Sequence, residues 1–362
     1  MLNVFGAVKD LLKLDAVCID NNVFRLHYKA TVIMLVGFSL IVTARQYVGE
    51  PINCLVDGVP NKIMESYCWL HSTFTVVKKV GGRIGKDVVQ PGVAPFRQGE
   101  DIVKYHRYYQ WVCFVLFFQA VCFYVPRYLW KFLEGGRIRA LVKGLNNVMI
   151  TEEQKANAIK LLADYFVVNL HSHNFYAIQF FFCECLNLVN VVVQMLFLHY
   201  FFEGEFASYG LDVFRFTTME PSEREDPMSR IFPKVAKCTF EKYGFSGTIQ
   251  TFDGLCLLPL NIVNEKIYAF LWFWFLLVAV FSGIILVYRA ILIMSIKFRL
   301  MMLKMKSRLS PRDELIIIIE NFQMGDWFIL HQISKNCEPR VFKELVSNLA
   351  TIQFNGRENV EI

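Results

Sequence analysis

"YYQWVCFVLFFQA", residues 108–120, sets aromatic and polar side chains directly in front of an unbroken apolar run. A soluble core element has no use for such a collar. A helix crossing a bilayer does, because Tyr and Trp rings sit well at the headgroup level, apolar at one end and wet at the other. The rest of the chain agrees. Of 362 residues, 55% are hydrophobic and only 19% charged, with 34 phenylalanines; soluble domains are about a quarter charged. Four segments are long and apolar enough to span hydrocarbon, which takes about 20 residues. They are 29–48, 107–130, 175–202 and 266–294, and the first, broken by Arg45, is the weakest.

Residues 1–27 mix Lys9, Lys13 and Arg25 with Asp10, Asp15 and Asp20 and lack the apolar core of a cleavable signal, so the first span is expected to direct insertion. Lys and Arg concentrate on the cytoplasmic side of spans. They crowd 131–174 and the stretch after the fourth span, through Lys297, Arg299, Lys304, Lys306 and Arg308. Both termini are therefore expected in the cytoplasm, with 49–106 and 203–265 outside. The second outer loop fits, with ten acids against six bases. The first carries many bases, but long loops translocate largely regardless of charge. Each outer loop holds two of the ten cysteines, Cys54 and Cys68, then Cys238 and Cys256. Four thiols in an oxidising compartment read as two disulfides with three possible pairings. Spacings of 14 and 18 lack the short Cys pair of a zinc ribbon, so no metal is expected.

Local signals fill in the rest. Leu2, Phe5, Val8 and Leu12 form one helical stripe, which read alone favours a helix lying on the inner membrane surface over one tucked into a pore mouth. The turn "GFSG" at 244–247 between two strand-like runs predicts a hairpin, and "SYCWLHSTFTV" suits a short helix or a strand. Thr151 with Gln154 reads as a capping box, and Ser310-Pro311 and Glu338-Pro339 read as helix starts. Ile316 to Ile319 suits a buried strand or a helix.

Glu184, Asn187, Asn190 and Gln194 fall on one face of the third span. Interhelical hydrogen bonding is the favoured reading, with a proton or ion path as the rival. His171 and His173 read as a solvated loop pair, and Cys183 and Cys185 point to different faces. Pro126 predicts a kink in the second span. There is no Walker loop, dinucleotide fingerprint, HExxH or G-x-S-x-G, so neither an enzyme nor a cofactor is expected.

Tyr108, Tyr109, Gln110 and Trp111 followed by "FYVPRYLW", which contains Pro126, resemble the signature of innexins, the invertebrate gap-junction proteins. "DNNVFRLHYKATVI", "RQYVGEPINC", "CWLHSTFTV", "FPKVAKCTFEKYG", "LCLLPLNIVNEKIYAFLWFWF" and "GDWFILHQI" also look like innexin segments. Connexins carry three cysteines per outer loop. Pannexins share the count of two but are usually glycosylated outside, and neither outer loop here holds an N-x-S/T sequon.

The resemblance implies an all-α membrane protein, a four-helix bundle with a small disulfide-linked α/β extracellular domain and a helical cytoplasmic domain. The segments would be an N-terminal cytoplasmic or pore helix at 1–28, spans 29–48, 107–130, 175–202 and 266–294, outer loops 49–106 and 203–265, an inner loop 131–174 and a C-terminal region 295–362. It implies pairing of Cys54 with Cys256 and Cys68 with Cys238. It turns residues 1–14 into the pore, giving Met1, Leu2, Asn3, Phe5, Thr31 and Ser39 as pore-lining. It implies a ring of six to eight identical or related subunits in the plasma membrane, docking head-to-head with a ring of the neighbouring cell. Ions and small molecules would pass; the lipid bilayer is a partner and nucleic acid is not. The competing readings are an undocked channel releasing small molecules such as ATP, and a tetraspan adhesion protein without a pore.

Overall fold

The computed structural model describes residues 17–80, 88, 90–95, 101–145, 151–219 and 226–358. In chain order these give helix α1 (Asn22–Tyr47), strand β1 (Asn53–Leu55), α2 (Asn61–His71), β2 (Thr73–Val76), β3 (Val103–His106), α3 (Val112–Glu134), α4 (Arg137–Leu141), α5 (Glu152–Val168) and α6 (Asn174–Phe201). Then follow α7 (Phe206–Thr218), α8 (Pro227–Ile231), β4 (Val235–Tyr243), β5 (Ile249–Leu257), α9 (Pro259–Met294), α10 (Ile296–Lys306), α11 (Arg312–Asn321), α12 (Met324–Asn336) and α13 (Pro339–Glu358). Four of them, α1, α3, α6 and α9, are long and apolar enough to cross a membrane.

Their surfaces explain why. On α3, Phe114, Phe117, Phe118, Val121, Val125, Tyr128 and Phe132 are exposed at spacings of three and four, while Val112, Val115, Leu116, Gln119 and Phe123 are buried. A helix with one apolar face packed and the opposite apolar face open suits hydrocarbon and not water. The long α9 repeats the pattern, with Phe270, Phe273, Leu277, Phe281 and Ile284 outward.

Several helix ends differ from expectation for local reasons. The first span starts at Asn22 because the Asn21 side chain accepts the Phe24 N–H at 2.7 Å and caps it. Residues Leu26–Thr31 then widen into a π-helical stretch before α geometry resumes at Val32. Tyr108–Gln110 forms a 3₁₀ turn, so α3 begins after the aromatic cluster. Pro126 lies inside α3, which continues to Glu134. Pro259 and Pro339 open α9 and α13, where a missing N–H costs nothing. Thr151 stands at the N-cap of α5, but its side chain makes no capping bond. Ile316 to Ile319 is helical, and Pro311 itself is the cap residue of α11.

The chain divides into two compact units, each boundary falling inside one of the four long helices. One comprises the described residues up to Ala30, Phe123–Asn190 and from Ala279 on. It is helical, and its core gathers Trp130, Tyr176, Phe180, Phe166, Trp327 and Phe328. α5 contributes Ile159, Leu162, Ala163 and Phe166, and α13 contributes Val341, Phe342, Leu345, Val346 and Leu349, both buried stripes of helical period. Gly325 packs so close to the backbone of His173 and Asn174 that a β-carbon there would overlap it.

The other unit comprises Thr31–Cys122 and Val191–Val278. Around the ends of its helices it carries a five-stranded antiparallel sheet of order β1-β5-β4-β2-β3. The hairpin β4–β5 runs in register from Val235↔Leu257 to Tyr243↔Ile249. Its turn closes through Gly244 N–H to Thr248 O at 2.8 Å, with Gly247 at φ +82°, a backbone that glycine adopts without strain. The sheet interleaves both inter-span segments, since β1, β2 and β3 come from the first and β4 and β5 from the second.

Candidate functional site

The sheet domain is where the cysteines meet. Cys54 of β1 lies directly opposite Cys256 of β5, and the two are bonded, with Cα atoms 4.0 Å apart. Cys68 of α2 is bonded to Cys238 of β4, with Cα atoms 6.0 Å apart. Both bonds sit in a small core with Ile52, Met64, Ala236 and Leu258. Among the described residues, the group of sulfur, imidazole and carboxylate ligands close enough for a metal is Cys54, Cys68 and Cys256, all consumed by these disulfides. At the far end of the hairpin, Tyr243, Phe245 and Ile249 are exposed, Phe245 completely.

The aromatic cluster before α3 is an anchor for this domain more than a collar. Tyr109 is buried and donates its hydroxyl to the Cys68 carbonyl at 3.2 Å. Gln110 donates to the Trp69 carbonyl, and the Trp69 and Tyr109 rings lie 4.8 Å apart. Tyr108 meets Phe202 and Phe232 edge-on at 5.5 and 5.6 Å. Only Trp111 of the four is exposed, as the collar reading requires. The cluster thus bonds two carbonyls near the end of α2, that of Cys68 being shared with the Ser72 N–H, and ties that helix to the start of α3.

Polar side chains also hold the sheet's lower edge. His106 of β3 is buried and paired with the Thr75 hydroxyl at 2.9 Å. Burial, aided by the Lys104 charge, pushes its pKa down to about 3, so it stays neutral. Asp226 caps α8 through the Met228 N–H at 3.0 Å and pairs with Lys234 at 3.1 Å. Burial works against its ionised form, but Ser229 and Lys234 outweigh that and hold its pKa below the usual carboxylate range.

A second constellation lies in the helical unit. Asp20, almost fully buried, binds Arg25 at 2.8 Å, Arg127 of α3 at 3.1 Å and the Tyr28 hydroxyl at 2.9 Å. Its neighbour Asn21 donates to Glu184 of α6. Glu184 in turn takes both Nε and a terminal nitrogen of Arg289 on α9, at 2.8 and 2.9 Å. Within the polar stripe of the third span Glu184 therefore has structural partners, while Asn187 and Gln194 are buried and Asn190 half-buried. Sequence reasoning found Glu184 and missed Asp20, Arg127 and Arg289. Their only signal was a charge inside or beside an apolar span.

Two expectations are corrected. His171 and His173 are not a solvated pair. His173 is buried between Asp326 at 2.7 Å and the Tyr165 hydroxyl at 3.0 Å, and only His171 is open. Thr31 and Ser39 do not face open space. Thr31 is fully buried and accepts from Trp274 Nε1 at 2.9 Å, while Ser39 donates to the Cys113 carbonyl at 2.9 Å. Met1, Leu2, Asn3 and Phe5 lie outside the described residues.

Four membrane-crossing helices whose two alternate connections fold together into one disulfide-bonded sheet domain define a multi-pass membrane protein with a rigid head. The family model for innexins matches residues 20–352. Innexin inx2 of Schistocerca americana is 60% identical over 360 residues, covering 99% of this chain and 100% of that protein. Innexin inx2 of Drosophila melanogaster is 58% identical over 99% of this chain and 98% of its own length. Innexin shaking-B of Drosophila melanogaster is 44% identical over 97% and 94%. The chain belongs to the innexin family.

Breaking the buried Glu184–Arg289 pair leaves one charge without its partner, which costs about 3–5 kcal/mol. Arg289→Met alone should lower the thermal stability of the detergent-purified protein sharply, and Glu184→Leu with Arg289→Met should recover much of the loss. Equal losses in single and double variants would contradict the pairing. His106 gives a pH dependence. Unfolded, it takes a proton below about pH 6.5; folded, it refuses one down to about pH 3. Stability at β3 is therefore complete above pH 6.5 and falls by about 2 kcal/mol between pH 7 and 5. Hydrogen exchange of the β2–β3 amides, corrected for intrinsic rate, should accelerate accordingly and become flat in His106→Gln.

Proposed function

We propose that this innexin, a subunit of gap-junction channels that pass ions and small molecules between adjacent cells, presents its sheet domain outside the cell as a docking head and keeps both termini in the cytoplasm. The observation behind this is the pair of disulfides joining the two inter-span segments. Thiols pair and persist in an oxidising compartment, so both segments belong outside. The basic stretch after α9, with Lys297, Lys304 and Lys306 exposed, then belongs inside, as the positive-inside bias requires.

A docking surface must keep its shape before its partner arrives, since ordering a loop on binding subtracts from affinity. Two cross-links and a five-stranded sheet supply that order in advance. The hairpin tip supplies the contact, since Phe245, Tyr243 and Ile249 expose apolar surface that a facing head from the next cell would cover. The assembly is a ring of six to eight copies, alone or with related innexins, and particle images of the purified protein count them.

The pore face of α1 is assigned to Met34, Gly37, Ile41 and Arg45, which recur at helical spacing and are half-buried to exposed in the protomer. Met1, Leu2, Asn3 and Phe5 form its narrowest part by the family resemblance. Arg45 suits water and not lipid.

Phe245→Asp should cut dye transfer between paired expressing cells by at least about tenfold, the scale on which a lost hot-spot side chain acts, while single-cell hemichannel current persists. Undiminished transfer removes the hairpin from docking, and absence of transfer in the parent protein favours the undocked channel. Cysteine at Arg45 should react with a water-soluble thiol reagent and block current, whereas Thr31→Cys should not; the reverse order refutes the assigned pore face.

A further inference from the structure

Arg299 is a buried cation without an acid. Its relative exposure is 9%, its Nε has no hydrogen-bond partner, and among the described residues its guanidinium makes no ion pair. Burial, the one cause acting on it, lowers its pKa. The backbone around it is fixed: Ser295 caps α10 by accepting from Phe298 N–H at 3.3 Å, and Trp327 Nε1 donates to the Arg299 carbonyl at 3.2 Å. A positioned guanidinium whose Nε is buried without a hydrogen-bond partner is costly, and its fork of donors matches phosphate and carboxylate oxygens.

The space in front of it has a definite chemistry. Arg299 lines a groove of about 560 Å³ with Ile178 and Phe181 of α6, Ile293 of α9, and Gln323 and Met324 at the start of α12. Ile178 and Ile293 are exposed on the apolar outer faces of two membrane spans. The groove thus combines apolar side chains from two membrane spans with one buried cation. Asp326, the acid in the first turn of α12, is turned away to His173 and His171. The helix that carries Arg299 is itself basic: α10 reads IKFRLMMLKMK, with Lys297, Lys304 and Lys306 exposed and no acid. Ile296, Met301 and Met305 are exposed on the same helix, as on a helix lying at a membrane surface.

We propose that this groove is a binding site for an anionic phospholipid, with the headgroup phosphate on the Arg299 guanidinium and an acyl chain along Ile178 and Ile293. Charge complementarity selects the occupant. A zwitterionic lipid brings its own cation up to a buried arginine on a helix with three exposed lysines and no acid, whereas an anionic lipid neutralises that charge. The assignment rests on the reading that 295–362 is cytoplasmic, the side where anionic lipids concentrate.

The test uses the full-length protein in nanodiscs of phosphatidylcholine doped with a photoactivatable phosphatidylserine or a photoactivatable phosphatidylcholine, with labelled peptides mapped by mass spectrometry. The serine lipid should label the peptides holding Ile178 and Ile293 about tenfold more than the choline lipid, the scale of one charge-assisted contact. Arg299→Gln should abolish that preference, and Lys297→Gln should leave most of it. Ile178→Trp, which fills the groove and spares the charge, should also remove labelling and serves if Arg299→Gln does not fold. Equal labelling by both lipids, or preference surviving in either groove variant, overturns the proposal. So does loss of labelling to inorganic phosphate or soluble glycerophosphoserine, which would make the ligand a free phosphate compound. Nanodiscs offer the probe to both faces, so the result is independent of sidedness. Sidedness is read separately, by protection of Lys304→Cys from an impermeant maleimide on intact cells.

Discussion

Hydrocarbon supplies no hydrogen bonds, so a polar group placed among membrane helices must find its partners on those helices. In this innexin the requirement converges on two adjacent residues. Asp20 reaches α3 through Arg127, and Asn21 reaches α6 through Glu184, which carries the link on to Arg289 of α9. Asn21 meanwhile caps α1 itself. One dipeptide before the first span is therefore tied, directly or through one intermediary, to each of the other three. Apolar packing between helices in lipid is permissive about rotation and sliding, because lipid tails are as apolar as the side chains. A bidentate guanidinium–carboxylate contact is not permissive, and it sets the rotational phase of α6 against α9.

The sheet domain solves the opposite problem. Its core is small, built on Ile52, Met64, Ala236, Leu258 and the four cysteines. Small cores in water bury too little surface to hold long connections in place. Covalent bonds make up the difference: in the loop-entropy picture one bond across 202 residues contributes about 5 kcal/mol, and the second, nested inside it, somewhat less. Their placement is economical in chain terms. One joins strand to strand and the other joins α2 to the sheet, so neither inter-span segment can leave without the other.

How far the sequence could be read follows from the range of each signal. The four spans were legible because hydrophobic length is a local property, and the hairpin because "GFSG" closes a turn within its own neighbours. That the four loop cysteines would form disulfides was legible from their placement in pairs between the spans, but residue spacing alone left the pairing open. The polar hub was not legible, since nothing near Asp20 in the chain announces Arg127. The YYQW cluster shows how a correct local rule misassigns. Aromatic residues before a span do mark interfaces, and Trp111 obeys. Tyr109 and Gln110 instead serve carbonyls 41 residues earlier, which only the fold reveals. His173 does lie in the turn before α6, but its burial was not legible because its partner Asp326 lies 153 positions away.

The π-helical stretch from Leu26 to Thr31 accommodates one residue more than an α-helix would over the same rise. Removing a residue there would therefore let the helix close into regular geometry while Asp20 and Asn21 keep their phase toward Arg127 and Glu184. Removing one from the regular helix on either side meets no such slack and would turn the dipeptide away by about 100°. Descendants of the gene should therefore tolerate loss of a residue between Leu26 and Thr31 far better than loss of one just outside it.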